Sequence, residues 1–478
     1  MEAIEFLRTK EADFVYTIDS INLIAQLKEI YSNFRQTLSK LSKTNFNNEI
    51  LARLTNDYEN IQNSIIAIFE KFYSGRLLEA ENEFTTFFNQ LQIDYPYFFD
   101  ERALELSEPG LFGSSHIYYR ARKSESTLLL KEMFHIPFNQ RGFACTGRFN
   151  LPGMPCLYFG KSIHSCWEEL KQIPLKHLHV SSYRAINQNN IRILNFSEPL
   201  ITAYKTLEVF SVIVLISFIN QSSLQNKKLE PWHEDVKRMF LDIYKINIII
   251  PDKNEDLDRL YTLLNNQDED LSSTFSKYNI SFSQIFDFVY YEIKQNAERN
   301  FSDSDSWNKK FSEVYKGQLQ TMFAHYVNNV IIHPLKIALS LRNRTPSEFF
   351  KPEYYMSQLL MKWLFQKNQD EKQLFGVSYL SSRIPDLSKT RIQDINLYRN
   401  YVFPTVPLNS QEYCQKIHEN FQLTESVCVG NIERSNQINT LNKGAKIYSS
   451  SPLGNDYDKT YLYFAEQALS QMTMHSYY

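Results

Sequence analysis

The chain has 478 residues, 43% of them hydrophobic and 14% aromatic, enough apolar matter to bury a sizeable core and to divide into two or three domains. Its formal net charge of −3 gives no electrostatic reason to expect a nucleic-acid partner, whose phosphates select a basic face. Five cysteines, scattered along a chain whose first residues are acidic where an export signal would be basic and then apolar, predict reduced thiols and a cytoplasmic location.

Residues from about 18 to 95 read as helix. Ile21, Ile24, Leu27, Ile30, Tyr31, Phe34, Leu38 and Leu41 recur at three- and four-residue steps, and Ile50, Leu51, Leu54, Tyr58, Ile61 and Ile65 continue the pattern. A turn is expected at 45–48 and a stop at 94–96, which makes the N-terminal region, 1–110, a helical hairpin or small bundle. It carries no chemical motif and reads as a packing or interaction module.

From about 110 to 200 the texture changes to short β-like pieces at 117–121, 156–159, 177–185 and 191–194, with a short helix at 165–170 between the second and third. This alternation implies an α+β fold. Residues 205–350 return to helical spacing, with polar breaks at 220–228 and 265–273 and a short apolar piece at 246–250, and read as a large, mostly helical insertion. The longest apolar run, 209–219, is interrupted by Ser211 and Ser217 and falls far short of the roughly twenty residues of a membrane span. A helix at 355–364 leads to strands at 376–383 and 400–404. The C-terminal extension, 406–478, is polar and regains helical character at 461–472.

The most constrained backbone is expected where Gly142, Gly147 and Gly153, three of only 12 glycines, share one window, with Pro152 and Pro155 fixing the loop. Common catalytic patterns are missing: there is no paired-histidine zinc helix, no phosphate-binding glycine loop and no Gly-x-Ser-x-Gly elbow. Cys145, Cys156, His164 and Cys166 lack the close Cys-x-x-Cys pairs of structural zinc, so no metal is expected. His116 and His135 are read as packing residues. A polar set remains: Arg120, Arg148, Tyr158, Glu169 and Ser381. Taken singly, Tyr158 is a core aromatic, Glu169 a solvated helix residue, each arginine a surface or ion-paired cation and Ser381 a turn or cap.

Their order carries more. Tyr118-Tyr119-Arg120-Ala121-Arg122, then Gly147-Arg148-Phe149-Asn150-Leu151-Pro152-Gly153-Met154-Pro155-Cys156-Leu157-Tyr158, then Glu169, then Gly376-Val377-Ser378-Tyr379-Leu380-Ser381-Ser382 resembles the RES-domain family, named for its Arg, Glu and Ser and related to ADP-ribosyltransferase folds. The resemblance covers about 115–200 and 350–405, within a domain of 111–405 that holds the insertion. It departs at Gly160-Lys161 and at the bulky Trp167, and the insertion leaves Ser381 and Ser382 as alternatives for the serine.

What the resemblance implies is NAD as substrate. The nicotinamide–ribose bond would break with water as acceptor, as in an NAD glycohydrolase, or with a protein group as acceptor, as in an ADP-ribosyltransferase. Toxins of bacterial toxin–antitoxin pairs belong to the family, so an antitoxin or regulatory protein is an implied partner. A nucleotide-binding or protein-interaction scaffold that has lost turnover is the non-catalytic alternative. In this reading Glu169, Arg120 and Ser381 are catalytic, and Arg120, Arg148, Tyr158 and Ser381 hold the dinucleotide. The residue types suit the chemistry. A carboxylate stabilises an oxocarbenium-like ribose, guanidinium groups match pyrophosphate oxygens, an aromatic ring stacks on nicotinamide and a hydroxyl bonds ribose or carboxamide. The helical regions would control access or bind a partner, a second copy included.

Overall fold

The computed structural model describes residues 16–41, 48–95, 117–187, 190–224, 230–244, 271–280, 284–285, 288–289, 325–343, 350–381, 395–407, 412–434, 457 and 460–476. The chain divides into two compact units, one of 1–12, 36–55 and 200–330, the other of 13–35, 56–199 and 331–478. Every candidate site residue belongs to the second.

Three helices make up most of the described N-terminal region: α1 (Leu23–Leu41), α2 (Asn48–Tyr73) and α3 (Leu77–Asp94). On α1 the buried residues Leu23, Leu27, Tyr31, Phe34 and Leu38 follow the three- and four-residue steps of one helical face. Phe34 stacks between Tyr58, at 5.1 Å, and His333, at 4.1 Å. The expected turn at 45–48 lies outside the described residues except for Asn48, which starts α2. A second break separates α2 from α3: Gly75 takes a φ of +75°, and the Arg76 N–H donates to the Lys71 carbonyl at 2.9 Å, a left-handed glycine stop. Gly75 was the sign of this stop, submerged in an otherwise continuous apolar period.

Strands and helices then alternate. After β1 (Thr17–Ile18), which precedes α1, come β2 (Ile117–Lys123), β3 (Cys156–Gly160), α4 (Ile163–Glu169), β4 (Leu178–Ala185) and β5 (Ile191–Asn195). The helices α5 (Leu200–Leu224), α6 (Pro231–Tyr244) and α7 (Leu271–Lys277) belong to the insertion, followed by α8 (His333–Ser340), β6 (Arg342–Asn343) and α9 (Tyr355–Asp370). Beyond these lie β7 (Leu374–Leu380), β8 (Arg399–Pro404), β9 (Phe421–Leu423), β10 (Val427–Cys428) and α10 (Tyr461–Ser470). The fold is α+β. Helix α5 runs through the start of the break expected at 220–228, and the expected apolar piece at 246–250 lies outside the described residues. No helix among the described residues is long and apolar enough to cross a membrane.

The main sheet has the order β10-β4-β2-β3-β8-β7-β5, with β9 also beside β4. All its pairings are antiparallel except β5 with β7. Parallel neighbours require a long crossover, and here residues 196–373 separate the two strands, a stretch that contains the insertion expected at about 205–350. The expected C-terminal extension is corrected in one respect. Strands β9 and β10 pair with β4, so the boundary drawn at 405 cuts through the sheet. Strands this short carry too little alternation to be read from sequence.

The sheet opens between β2 and β3. Strand β2 pairs along its whole length with β4, yet meets β3 at the single register Tyr119↔Gly160. One face buries Tyr118, Phe159, Tyr183, Ile193, Tyr401 and Phe403 in an aromatic core. The two-residue period turns Tyr119, Tyr158, Tyr379 and Asn400 to the other face, where α4 lies. Gly160 lets α4 approach at this junction. A Cβ there would stand 2.6 Å from Ser165 Oγ, 2.7 Å from Cys166 Sγ and 2.9 Å from the Ser162 carbonyl. Gly160→Ala is therefore expected to lower the unfolding free energy by about 1–3 kcal/mol, the cost of an overpacked core, in urea titration.

Candidate active site

The short helix α4 is held at both ends. Ser162 Oγ accepts the Ser165 N–H at 3.0 Å and donates to the Leu397 carbonyl at 2.6 Å. At the other end Lys171 (φ 60°) and Gln172 (φ 55°) both take left-handed conformations, which turn the chain away directly after Glu169. Trp167 ties this turn down by donating its indole N–H to the Ile173 carbonyl at 2.7 Å. In the middle, the Cys166 thiol donates to the Tyr119 carbonyl at 3.2 Å. Burial pushes this thiol up to about 12, so it stays protonated as a donor.

Glu169, the last residue of α4, reaches across to the strands. Its Oε1 accepts the Ser381 hydroxyl at 2.6 Å and the Asn400 side-chain N–H at 2.9 Å, and the Asn400 side-chain oxygen Oδ1 accepts the Ser165 hydroxyl at 2.5 Å. The Ser381 N–H donates to the Tyr398 carbonyl at 2.9 Å, and the residue is wholly buried. Ser382 lies outside the described residues. A cleft of about 380 Å³ is lined by Arg120 and Arg122 of β2, Tyr158 of β3, Cys166 and Glu169 of α4, and Asn400 of β8. Tyr379 also lines it, and the ring of Phe149 packs at 4.4 Å from the Tyr379 ring.

Arg120 spans the opening of the sheet. Its guanidinium donates to the Tyr158 carbonyl at 3.1 Å and to the Phe134 carbonyl at 3.2 Å, and its Nε has no hydrogen-bond partner among the described residues. Burial pulls the group down to about 10, which leaves it cationic at neutral pH. Burial, with the nearby Cys156, Tyr379 and Glu169, holds the Tyr158 phenol well above its ordinary value, so it is neutral.

The structure therefore brings Arg120, Tyr158 and Glu169 to one cleft and joins Ser381 to it through Glu169. Arg148 does not line the cleft, although it stands close enough to Glu169 and Tyr379 to feel their charge. Its guanidinium donates to the carbonyls of Leu339, at 2.9 Å, and Leu341, at 2.6 Å, at the C-terminal end of α8, and lies 5.3 Å from the Tyr354 ring centre. A cation satisfying the last carbonyls of a helix is a structural role. His135 accepts the Cys414 N–H at 2.9 Å and is held neutral by burial, the packing role expected of it, while His116 lies outside the described residues. Sequence reasoning passed over Asn400 and Tyr379, although both stand in the segments read as strands. Nothing in the composition of a strand says which of its faces meets a helix from elsewhere in the chain. Among the described residues no group of three or more His, Cys, Asp or Glu is placed to hold a metal ion.

No family model matches the chain, and no solved structure matches it. A curated relative, the protein named Putative toxin YopC from Bacillus subtilis (strain 168), is 20% identical over 409 residues, which are 85% of this chain and 66% of that protein. The chain thus spans just under two thirds of the relative it matches.

The assignment of Arg148 has a direct test. Arg148→Ala strands two carbonyls and is expected to lower the unfolding free energy by about 2–4 kcal/mol in denaturant titration. Unchanged stability would show that the two carbonyl bonds are not what Arg148 contributes to the fold.

Proposed function

We propose that the chain is an NAD-consuming toxin of the RES type, whose second unit is an ADP-ribosyltransferase-like domain that cleaves the nicotinamide–ribose bond. The observation that carries this reading is a buried cation without an anion. Among the described residues no carboxylate forms an ion pair with Arg120, its Nε is an orphaned donor, and it lines the same cleft as Glu169 and Tyr158. A buried guanidinium costs several kcal/mol unless a counter-charge offsets it, and the pyrophosphate of a dinucleotide is a counter-charge whose oxygens match its geometry. The name of the Bacillus subtilis relative supports the toxin part of the reading.

In this reading Tyr158 and Tyr379 offer ring surface to nicotinamide, and Glu169 faces the ribose. Nicotinamide departs with the electron pair of the glycosidic bond, leaving a cationic ribose C1′. The Glu169 carboxylate, oriented by Ser381 and Asn400, stabilises that charge. Water adds to C1′ and releases a proton to solvent, giving ADP-ribose. Glu169 is exposed, which admits water as the acceptor and favours hydrolysis over transfer to a protein side chain. An antitoxin or regulatory protein that covers the cleft is the partner this reading calls for.

Purified protein incubated with NAD is expected to release nicotinamide, measured by chromatography. Glu169→Gln should cut the rate at least about a hundredfold, the loss typical of a group that stabilises developing charge, while NAD still binds. Asn400→Ala, which removes one of the two bonds that orient the carboxylate, should cut it about tenfold. Wild-type protein that binds NAD and releases no nicotinamide would overturn the enzyme reading. ADP-ribose found covalently on protein by mass spectrometry would replace hydrolysis by transfer.

A further inference from the structure

The C-terminal helix reaches the active-site helix through one buried carboxyl group. Glu466 of α10 accepts the Ile163 N–H at 2.7 Å and the Tyr457 hydroxyl at 2.6 Å, both on Oε1. Ile163 is the first residue of α4 and Glu169 its last. The first amides of a helix have no acceptor within it. Ser162 supplies one for Ser165, and Glu466, from a segment some three hundred residues later, supplies one for Ile163. Tyr457 and Glu466 are themselves held together at the start of α10, where Thr460 Oγ1 accepts the Tyr463 N–H at 3.2 Å and donates to the Tyr457 carbonyl at 2.8 Å. Glu466 lines no part of the cleft.

We propose that Glu466 is a positioning residue for Glu169: it brackets the N-terminal end of α4 and so sets where the carboxylate at the other end stands. The catalytic consequence rests on the function proposed above, whereas the bracket itself does not. Ser162 alone leaves the Ile163 amide unanswered, and the hydrogen bonds of Glu169 to Ser381 and Asn400 tolerate little movement of the helix at lengths of 2.6 and 2.9 Å.

The bracket responds to protons. The groups around Glu466 are the Tyr457 hydroxyl, the Ile163 N–H and Lys161, with Tyr119, Cys166 and Tyr463 beside them and His164 against the Tyr457 ring. Burial raises the carboxyl to about 7, against the opposing pull of the Tyr457 and Ile163 bonds and of Lys161. A carboxyl whose folded value lies above its unfolded one contributes stability that is full below about pH 4.5 and is lost as pH rises through about 7. The docked state is thus tighter at pH 6 than at pH 8.

Hydrogen exchange of the full chain, read by mass spectrometry over residues 162–170 and corrected for intrinsic rates, tests this. Wild-type protection should be greater at pH 6 than at pH 8. Glu466→Gln, which keeps an acceptor oxygen and cannot ionise, should abolish that difference, and Glu466→Ala should speed exchange there about tenfold or more. In nicotinamide release, Glu466→Ala should lower kcat while KM stays within about twofold, the mark of a displaced catalytic group rather than a lost contact. A pH difference that survives in Glu466→Gln, or wild-type protection of 162–170 in Glu466→Ala, would overturn the bracket. If Glu466→Ala does not fold, the Glu466→Gln comparison decides alone. If the wild type releases no nicotinamide, the proposed function falls and the exchange data still decide the bracket.

Discussion

The structure depends on how the Arg120 cation is kept inside the sheet. A guanidinium cannot be buried without acceptors, and the two it has are the main-chain carbonyls of Tyr158 and Phe134. The Tyr158 carbonyl belongs to the strand next to its own. Arginine and strand therefore meet through a side chain where a closed sheet would use its ladder, and β2 touches β3 in regular register only at Tyr119↔Gly160. The opening that results is the cleft. A sheet built solely for stability would fill this place with a β-branched residue and close the pairing.

Helix α4 lies over that opening and depends on contacts from distant parts of the chain. Gly160 admits it, the Cys166 thiol answers the Tyr119 carbonyl, Leu397 anchors Ser162, and Glu466 anchors Ile163. Seven residues of helix have no stability of their own in water. The position of Glu169 is therefore a property of the surrounding fold, supplied by segments on both sides of the insertion. The left-handed turn at Lys171 and Gln172 fits the same account, since residues held in such conformations persist only where their surroundings over-determine them.

The insertion has a topological reason. Strands β5 and β7 are parallel neighbours, so the chain had to return to the same end of the sheet before starting β7, and any such connection is long. Additional structure placed within a crossover leaves the register on either side undisturbed. That is how Ser378 can pair with Asn195, and Ser381 bond Glu169, across so wide a separation in sequence.

Apolar spacing was legible for the N-terminal helical region, for the longer strands of the central sheet and for the α+β class, because each is encoded by a period within one segment, whereas the stop at Gly75 and the short strands β9 and β10 were not. Of the residues whose order stood out in the sequence, Arg120, Tyr158 and Glu169 line one cleft, and Ser381 bonds Glu169. Tertiary structure alone decided the rest. Arg148 and Arg120 are alike as residues, yet one answers the end of α8 and the other spans the sheet. Asn400 is one polar position in a strand until α4 lies over it, and Glu466 and the β9–β10 edge look like a tail until they dock. Each of these depends on which groups need a hydrogen-bond partner once water has gone, and that need arises only when distant segments are packed together.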